Sequence, residues 1–120
     1  MKVFIVCLLT ALLAFSFVYI AHTACTDYAT TAKKILQDAQ TALTTAQISL
    51  TIVYNNGDIT EAEYLSGKQL INELEAAVRL TPLLITAYEK ERSDYNHDLM
   101  AENIANLVSL VYRINRIIHK

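Results

Sequence analysis

One carboxylate and one histidine stand at a spacing that could bind a metal ion. Asp94 and His97 are three residues apart in a stretch predicted to be helical, so their side chains share one helix face. A carboxylate and a histidine at this spacing bind metal in di-iron helical bundles, where facing helices supply further carboxylates. In this sequence the glutamates of the neighbouring helices fall on predicted polar faces. We therefore predict a solvated polar surface here, with no metal and no cofactor.

Other catalytic signatures do not occur in the sequence, which has no glycine-rich phosphate loop, no HExxH and no CxxC motif. The two remaining histidines are His22, just after an apolar run, and His119, the penultimate residue. Neither position predicts a histidine that activates a nucleophile. The net charge of −2 argues against nucleic-acid binding, because a basic surface supplies most of the affinity in such proteins. We predict a protein that is not an enzyme and binds no nucleic acid.

An uninterrupted apolar run covers residues 3–21, with no charged residue, glycine or proline inside it. Its length is close to the ~20 residues that a helix needs to cross a bilayer. Lys2 is the only charged residue ahead of the run, and a basic flank favours a cytoplasmic N-terminus with the rest of the chain exported. We predict a signal peptide or membrane anchor at residues 1–24 and a helical bundle domain at residues 25–120.

Three interpretations of the N-terminal segment stay open. A cleaved secretory signal has an apolar core of about 7–15 residues and small residues before the cut, whereas this core is longer and His22 with Ala24 fits poorly. An uncleaved membrane anchor fits the length of the run. The tripeptide Thr23-Ala24-Cys25 resembles the end of a bacterial lipobox, whose cysteine is lipidated after cleavage, although His22 stands where an aliphatic residue is expected. The resemblance makes Cys25 a lipidation candidate.

The first part of the bundle domain is predicted to be a helical hairpin. Small and apolar residues recur at helical spacing over residues 27–54, and Thr26 is the predicted N-cap. Gly57 then ends the helix in a left-handed turn. Thr60 and Glu63 match a capping box, in which the two side chains each bind the backbone amide of the other residue. We predict two antiparallel helices joined by this turn.

The second helix is predicted to cover residues 60–80, and Thr81-Pro82 is predicted to restart a third helix that runs to residue 118. The alternative is that Pro82 only kinks one long helix. The end of that helix carries apolar residues at coiled-coil spacing, beginning with Met100. Because the third helix is the longest of the predicted three, this end is expected to overhang the bundle and to bind a partner protein or a second copy. The predicted partner-binding residues are Ile104, Leu107, Val111, Ile114 and Ile118.

The predicted fold class is all-α: an N-terminal membrane or signal helix, then an antiparallel helical hairpin and a long third helix that together form a three-helix bundle. Thr23-Ala24-Cys25 and residues 57–64, within this order of elements, resemble small phage- or prophage-encoded envelope proteins such as spanins and superinfection-exclusion lipoproteins. The predicted anchor, the hairpin and the overhanging seam lead to the main hypothesis, a non-enzymatic, membrane-tethered protein of the bacterial envelope that acts through helix–helix association. The alternative hypothesis is a secreted helical bundle that binds a small apolar ligand.

Overall fold

The structure is a computed structural model that describes residues 27–119, and these residues form three helices and no strand. Helix α1 is Tyr28–Asn55, α2 is Glu61–Lys90 and α3 is Asp94–Ile118. Each helix packs against the other two, and the bundle measures 49 × 24 × 15 Å. The predicted all-helical bundle is confirmed. The predicted membrane or signal helix and Cys25 lie outside the described residues.

Among the helices of residues 27–119, none has both the length and the hydropathy required to cross a membrane.

The predicted hairpin turn between α1 and α2 is confirmed. Gly57 has a φ of 76°, in the left-handed region that a residue without a side chain adopts at no steric cost. The Asp58 backbone N–H donates to the Val53 carbonyl at 2.9 Å and closes the last turn of α1. In the capping box, the Glu63 N–H donates to Thr60 Oγ1 at 3.1 Å and the Thr60 N–H donates to Glu63 Oε1 at 2.9 Å.

The N-cap of α1 is Asp27 rather than the predicted Thr26. The Ala29 backbone N–H donates to Asp27 Oδ1 at 3.2 Å, which satisfies one of the N–H groups that have no partner inside a helix. A carboxylate at this position also interacts favourably with the positive end of the helix dipole. Asp27 therefore has the role that the sequence assigned to the residue before it.

The predicted helix boundary at Pro82 is wrong, because α2 continues through this residue to Lys90. The ring of Pro82 removes one hydrogen bond of the helix, but residues on both sides of it stay in the core, among them Val78, Thr81 and Ile85. Thr81 Oγ1 donates to the Ala77 carbonyl at 2.7 Å. Burial on both sides thus holds the helix together across a residue that usually ends one.

The break that the sequence assigned to Pro82 occurs instead at residues 91–93. Ser93 is the N-cap of α3 and accepts a hydrogen bond from the Asn96 backbone N–H at 3.1 Å. The Asn96 side chain then donates to the Glu91 carbonyl at 2.9 Å and fixes the connection. The helices have 28, 30 and 25 residues, or roughly 42, 45 and 38 Å. The third helix is therefore the shortest, and the predicted overhang does not exist.

The core combines small side chains from α1 with larger ones from α2 and α3. Five buried residues of α1 are alanines, whereas α3 contributes Met100, Leu107 and Ile114, each exposed by 1 % or less. The buried hydrophobic residues of α1 are Ala29, Ala32, Ile35, Ala39, Ala42, Ala46, Leu50 and Val53. They follow the helical spacing of small and apolar residues that the sequence shows over residues 27–54, and Tyr28 at the start of the helix is half-buried against this core.

The closest contact between α1 and α2 involves Gly67, which is buried. A Cβ atom built on Gly67 would lie 2.7 Å from Cδ1 and 3.0 Å from Cδ2 of Leu50, a side chain that is 2 % exposed. Because the core around Leu50 is closely packed, its methyl groups have little room to move away. Gly67 therefore lets the two helices approach each other.

Gly67→Ala should destabilise the bundle by about 1–3 kcal/mol, the usual cost of an additional methyl group in a packed core. This loss should exceed the gain in helix propensity from glycine to alanine. Urea unfolding followed by circular dichroism measures the difference.

Leu50→Ala provides the control for that prediction. Alone it should cost about 2–5 kcal/mol through the cavity that it creates. In the Leu50→Ala background, Gly67→Ala should be neutral or stabilising, because the methyl groups that it would meet are gone. If Gly67→Ala is equally destabilising in both backgrounds, the contact with Leu50 is not the cause.

Candidate functional site

His97 packs between aromatic rings at the end of the bundle where α1 begins. The ring centroids of Tyr28 and Tyr88 lie 5.0 and 5.7 Å from the centroid of the imidazole. Asp94 and His97 lie three residues apart in α3, so they share one helix face as the spacing predicted. His97 Nδ1 lies 3.3 Å from Asp98 Oδ1, the neighbouring carboxylate. Within residues 27–119 there is no group of three histidine, cysteine or acidic side chains that could hold a metal ion.

A charged cluster at the same end ties the start of α1 to the connection between α2 and α3. Arg92 donates from its two terminal guanidinium nitrogens to the two carboxylate oxygens of Asp27, at 2.9 and 3.2 Å. The hydrogen bond from Arg92 holds the pKa of Asp27 below its usual value. Lys33 and Glu89 form a second ion pair at 2.8 Å. Residues 1–26 therefore join the bundle at the end where Arg92 lies.

The residues predicted to bind a partner are part of the core. Ile104, Leu107, Val111, Ile114 and Ile118 are between 0 and 6 % exposed. These side chains face α1 and α2 of the same chain, since α3 packs against both helices and has no overhang. These five side chains are buried in the bundle and are not available to a partner. Association through the C-terminal helix stays a prediction, but it does not involve these residues.

The apolar side chains that are exposed lie mainly on other parts of the bundle, above all on the outer side of α2. Leu83 is 67 % exposed and Leu80 is 44 % exposed, and both point away from the core on α2. Ala76 and Ala87 continue this face by one turn on either side, Ala76 exposed and Ala87 half-buried. We call Ala76, Leu80, Leu83 and Ala87 the outer α2 stripe. The other large exposed apolar residues are Ile48, Leu65, Tyr95 and Tyr112.

The outer α2 stripe was missed at the level of sequence, although a signal for it exists. Its four members follow the 4-3-4 spacing of a coiled-coil seam. The predicted helix boundary at Pro82 divided this pattern between two helices and concealed it. A continuous helix through Pro82 restores the seam.

A groove of about 480 Å³ lies between α2 and α3 beside the stripe, lined by Leu80, Leu84, Leu99, Glu102, Asn103 and Asn106. At its base the Asn103 amide nitrogen donates to the Thr81 hydroxyl at 2.5 Å and to the Ala77 carbonyl at 3.3 Å. Asn103 is 7 % exposed, and its amide is fixed in place by these two contacts. The groove thus has apolar walls and a polar base.

Asp38 is a carboxylate buried on α1, 8 % exposed, and its Oδ2 has no hydrogen-bond partner in the described part of the chain. Burial raises the pKa of Asp38 above its ordinary value of 3.8, and the positive charge of Lys34 opposes the increase. A raised pKa means that the folded state binds the proton more tightly than the unfolded state. Protonation of Asp38 therefore favours the folded state fully at pH values below the ordinary pKa of 3.8. This contribution to stability is lost as the pH rises through the raised pKa of the folded state.

Asp38→Asn should stabilise the bundle at pH 7, because it removes a buried charge while keeping the shape of the side chain. The increase in melting temperature should disappear below the ordinary pKa of 3.8, where the carboxyl is neutral in both states. Glu102→Gln, which removes an exposed charge on α3, is the control and should show no comparable pH dependence. A neutral or destabilising Asp38→Asn at pH 7 would contradict the prediction.

Comparison of the chain with protein-family models, with curated proteins and with solved structures finds no match in any of the three.

Proposed function

We propose that the chain is a non-enzymatic, membrane-tethered helical protein of the bacterial envelope that acts through helix–helix association. The apolar run at residues 3–21 carries this proposal, because its length and lack of charge match the needs of a membrane segment. The resemblance to phage and prophage envelope proteins favours a phage origin. In this proposal Cys25 remains the candidate for lipidation.

The position of the junction supports the tether. Asp27 is held at one end of the bundle by Arg92, so the chain that precedes Asp27 joins the bundle at that end. The hairpin turn at Gly57 lies at the opposite end, since α1 is a single helix of 28 residues. A tether at this junction therefore leaves the outer face of α2 accessible to other proteins.

The outer α2 stripe supports association. Two leucines that are 67 % and 44 % exposed at adjacent turns of α2, together with Ala76 and Ala87, form an apolar surface. Apolar side chains in such a pattern commonly pack against another helix. The proposal thus assigns helix–helix contact to α2 in place of the buried seam of α3.

The mass of the mature N-terminus, measured on protein extracted from membranes, tests the tether. We expect either an intact Met1 or a diacylated Cys25, together with recovery in the membrane fraction after a carbonate wash. An unmodified N-terminus near Ala24, with the protein in the soluble fraction, would overturn the proposal.

Cross-linking in native membranes tests the association. A discrete complex should form, and Leu80→Asp with Leu83→Asp should abolish it because charges replace the apolar contact. Ile48→Asp with Leu65→Asp is the matched control, since both side chains are 57 % exposed and lie outside the stripe. An unchanged monomer in the wild type, or equal loss in both variants, would argue against the outer α2 stripe.

A second candidate function is a secreted bundle that binds a small apolar ligand. The groove between α2 and α3 favours it, since its volume of about 480 Å³ falls within the range of small-molecule sites. An unmodified mature N-terminus near Ala24 is the result that would favour this candidate over the tether.

A further inference from the structure

The outer α2 stripe is bounded by one acidic and one basic residue on the same helix face. Glu73 precedes Ala76 by three residues, and Lys90 follows Ala87 by three residues. Both charged side chains are exposed, and neither takes part in an ion pair among residues 27–119. The complete order along this face is Glu73, Ala76, Leu80, Leu83, Ala87 and Lys90.

The residue types and their spacing are the same when this order is read from Lys90 back to Glu73, except that the acidic and basic ends are exchanged. An antiparallel copy of α2, centred between Leu80 and Leu83, therefore places leucine against leucine and alanine against alanine. At each end it places Glu73 of one copy against Lys90 of the other, which are opposite charges. A parallel copy in register would place Glu73 against Glu73 and Lys90 against Lys90, and like charges repel.

We infer that the outer α2 stripe binds a second copy of this chain, with the two α2 helices antiparallel. The inference rests on the proposed association through α2 and names its partner. The alanines at the ends of the stripe let the two helix backbones approach closely, and the two Glu73–Lys90 pairs fix the register and the direction.

The seam is short, which determines how strongly the two copies associate. One leucine pair and its flanking alanines from each copy bury much less than the ~800 Å² per partner of a standard stable interface. The dimer is therefore weak in dilute solution and is favoured where a membrane keeps the local concentration high.

The geometry of the pair is compatible with a single membrane. A two-fold axis normal to the plane of the paired helices relates the two copies, so a feature on one side of that plane in one copy lies on the same side in the other. The two Arg92 residues, which mark the junctions with residues 1–26, lie about 30 Å apart along the seam. The two junctions can therefore face one bilayer when the helix axes of the pair lie parallel to the plane of the membrane.

Disulfide trapping with the full-length chain in detergent micelles tests the direction of the pair. Cys7 and Cys25 are replaced by serine, and chains with Ala76→Cys and Ala87→Cys carry different tags. On mixing and oxidation, we expect the mixed disulfide to exceed either self-linked product by about tenfold. Two copies of Cys at the same position would be about 16 Å apart in the antiparallel pair, too far for a disulfide.

Charge reversal tests the role of the two ion pairs. Glu73→Lys should lower the yield of the mixed disulfide about fivefold, because lysine then faces Lys90. Glu73→Lys with Lys90→Glu should restore it. Ser109→Lys adds the same charge on the exposed side of α3 and should leave the yield unchanged.

The outcomes separate this inference from the proposed tether. Dominant self-linked products, meaning a parallel pair, or no disulfide at all would overturn the antiparallel dimer. Failure of Lys90→Glu to rescue Glu73→Lys would also overturn it. Because the trapping is done in micelles, mixed disulfides support the dimer even if the membrane fractionation shows that the chain is not tethered.

Discussion

Close packing between an alanine-rich helix and two helices with larger side chains holds this bundle together. Alanines on the inner face of α1 let α2 and α3 come near, and Gly67 does the same from α2, where a Cβ would meet Leu50 at 2.7 Å. The large buried side chains of α3, such as Leu107 and Ile114, fill the space between them. Because the threonine-rich α1 has modest intrinsic helix propensity, this packing also stabilises the helix itself.

Two polar groups in the interior affect the bundle in opposite ways. Asn103 bonds to Thr81 and to the Ala77 carbonyl one turn before Pro82, so it links α3 to α2 at the place where α2 lacks a backbone hydrogen bond. The contact joins a buried amide of α3 to two acceptors on α2, so it favours the alignment of the two helices that the structure has. Asp38 is buried with a carboxylate oxygen that has no partner among the described residues, and its charge reduces stability.

The sequence predicts the local features of this fold well, but it predicts poorly which apolar residues are buried in the core and which are exposed on the surface. The turn at Gly57 and the capping box at Thr60 were predictable because each depends on a few adjacent residues. The end of α2 was not, because burial on both sides of Pro82 overrides the preference of proline for a helix start. Heptad spacing in α3 showed which side chains pack against a helix, but it could not show that the helix belongs to the same chain. The surface assigned to a partner therefore proved to be the core.

The exposed apolar surface lies on α2 and not on α3, and this changes how the proposed tether and the proposed association fit together. A seam at the end of an overhanging helix would act far from the tether, whereas Leu80 and Leu83 lie within a few turns of Arg92 and the junction with residues 1–26. In the proposed tethered form, contact between two copies costs less entropy, since both are confined near the same surface. The proposal thus lets a stripe too small to form a stable dimer in solution support association between tethered copies, with the charges at its ends setting the direction of the pair.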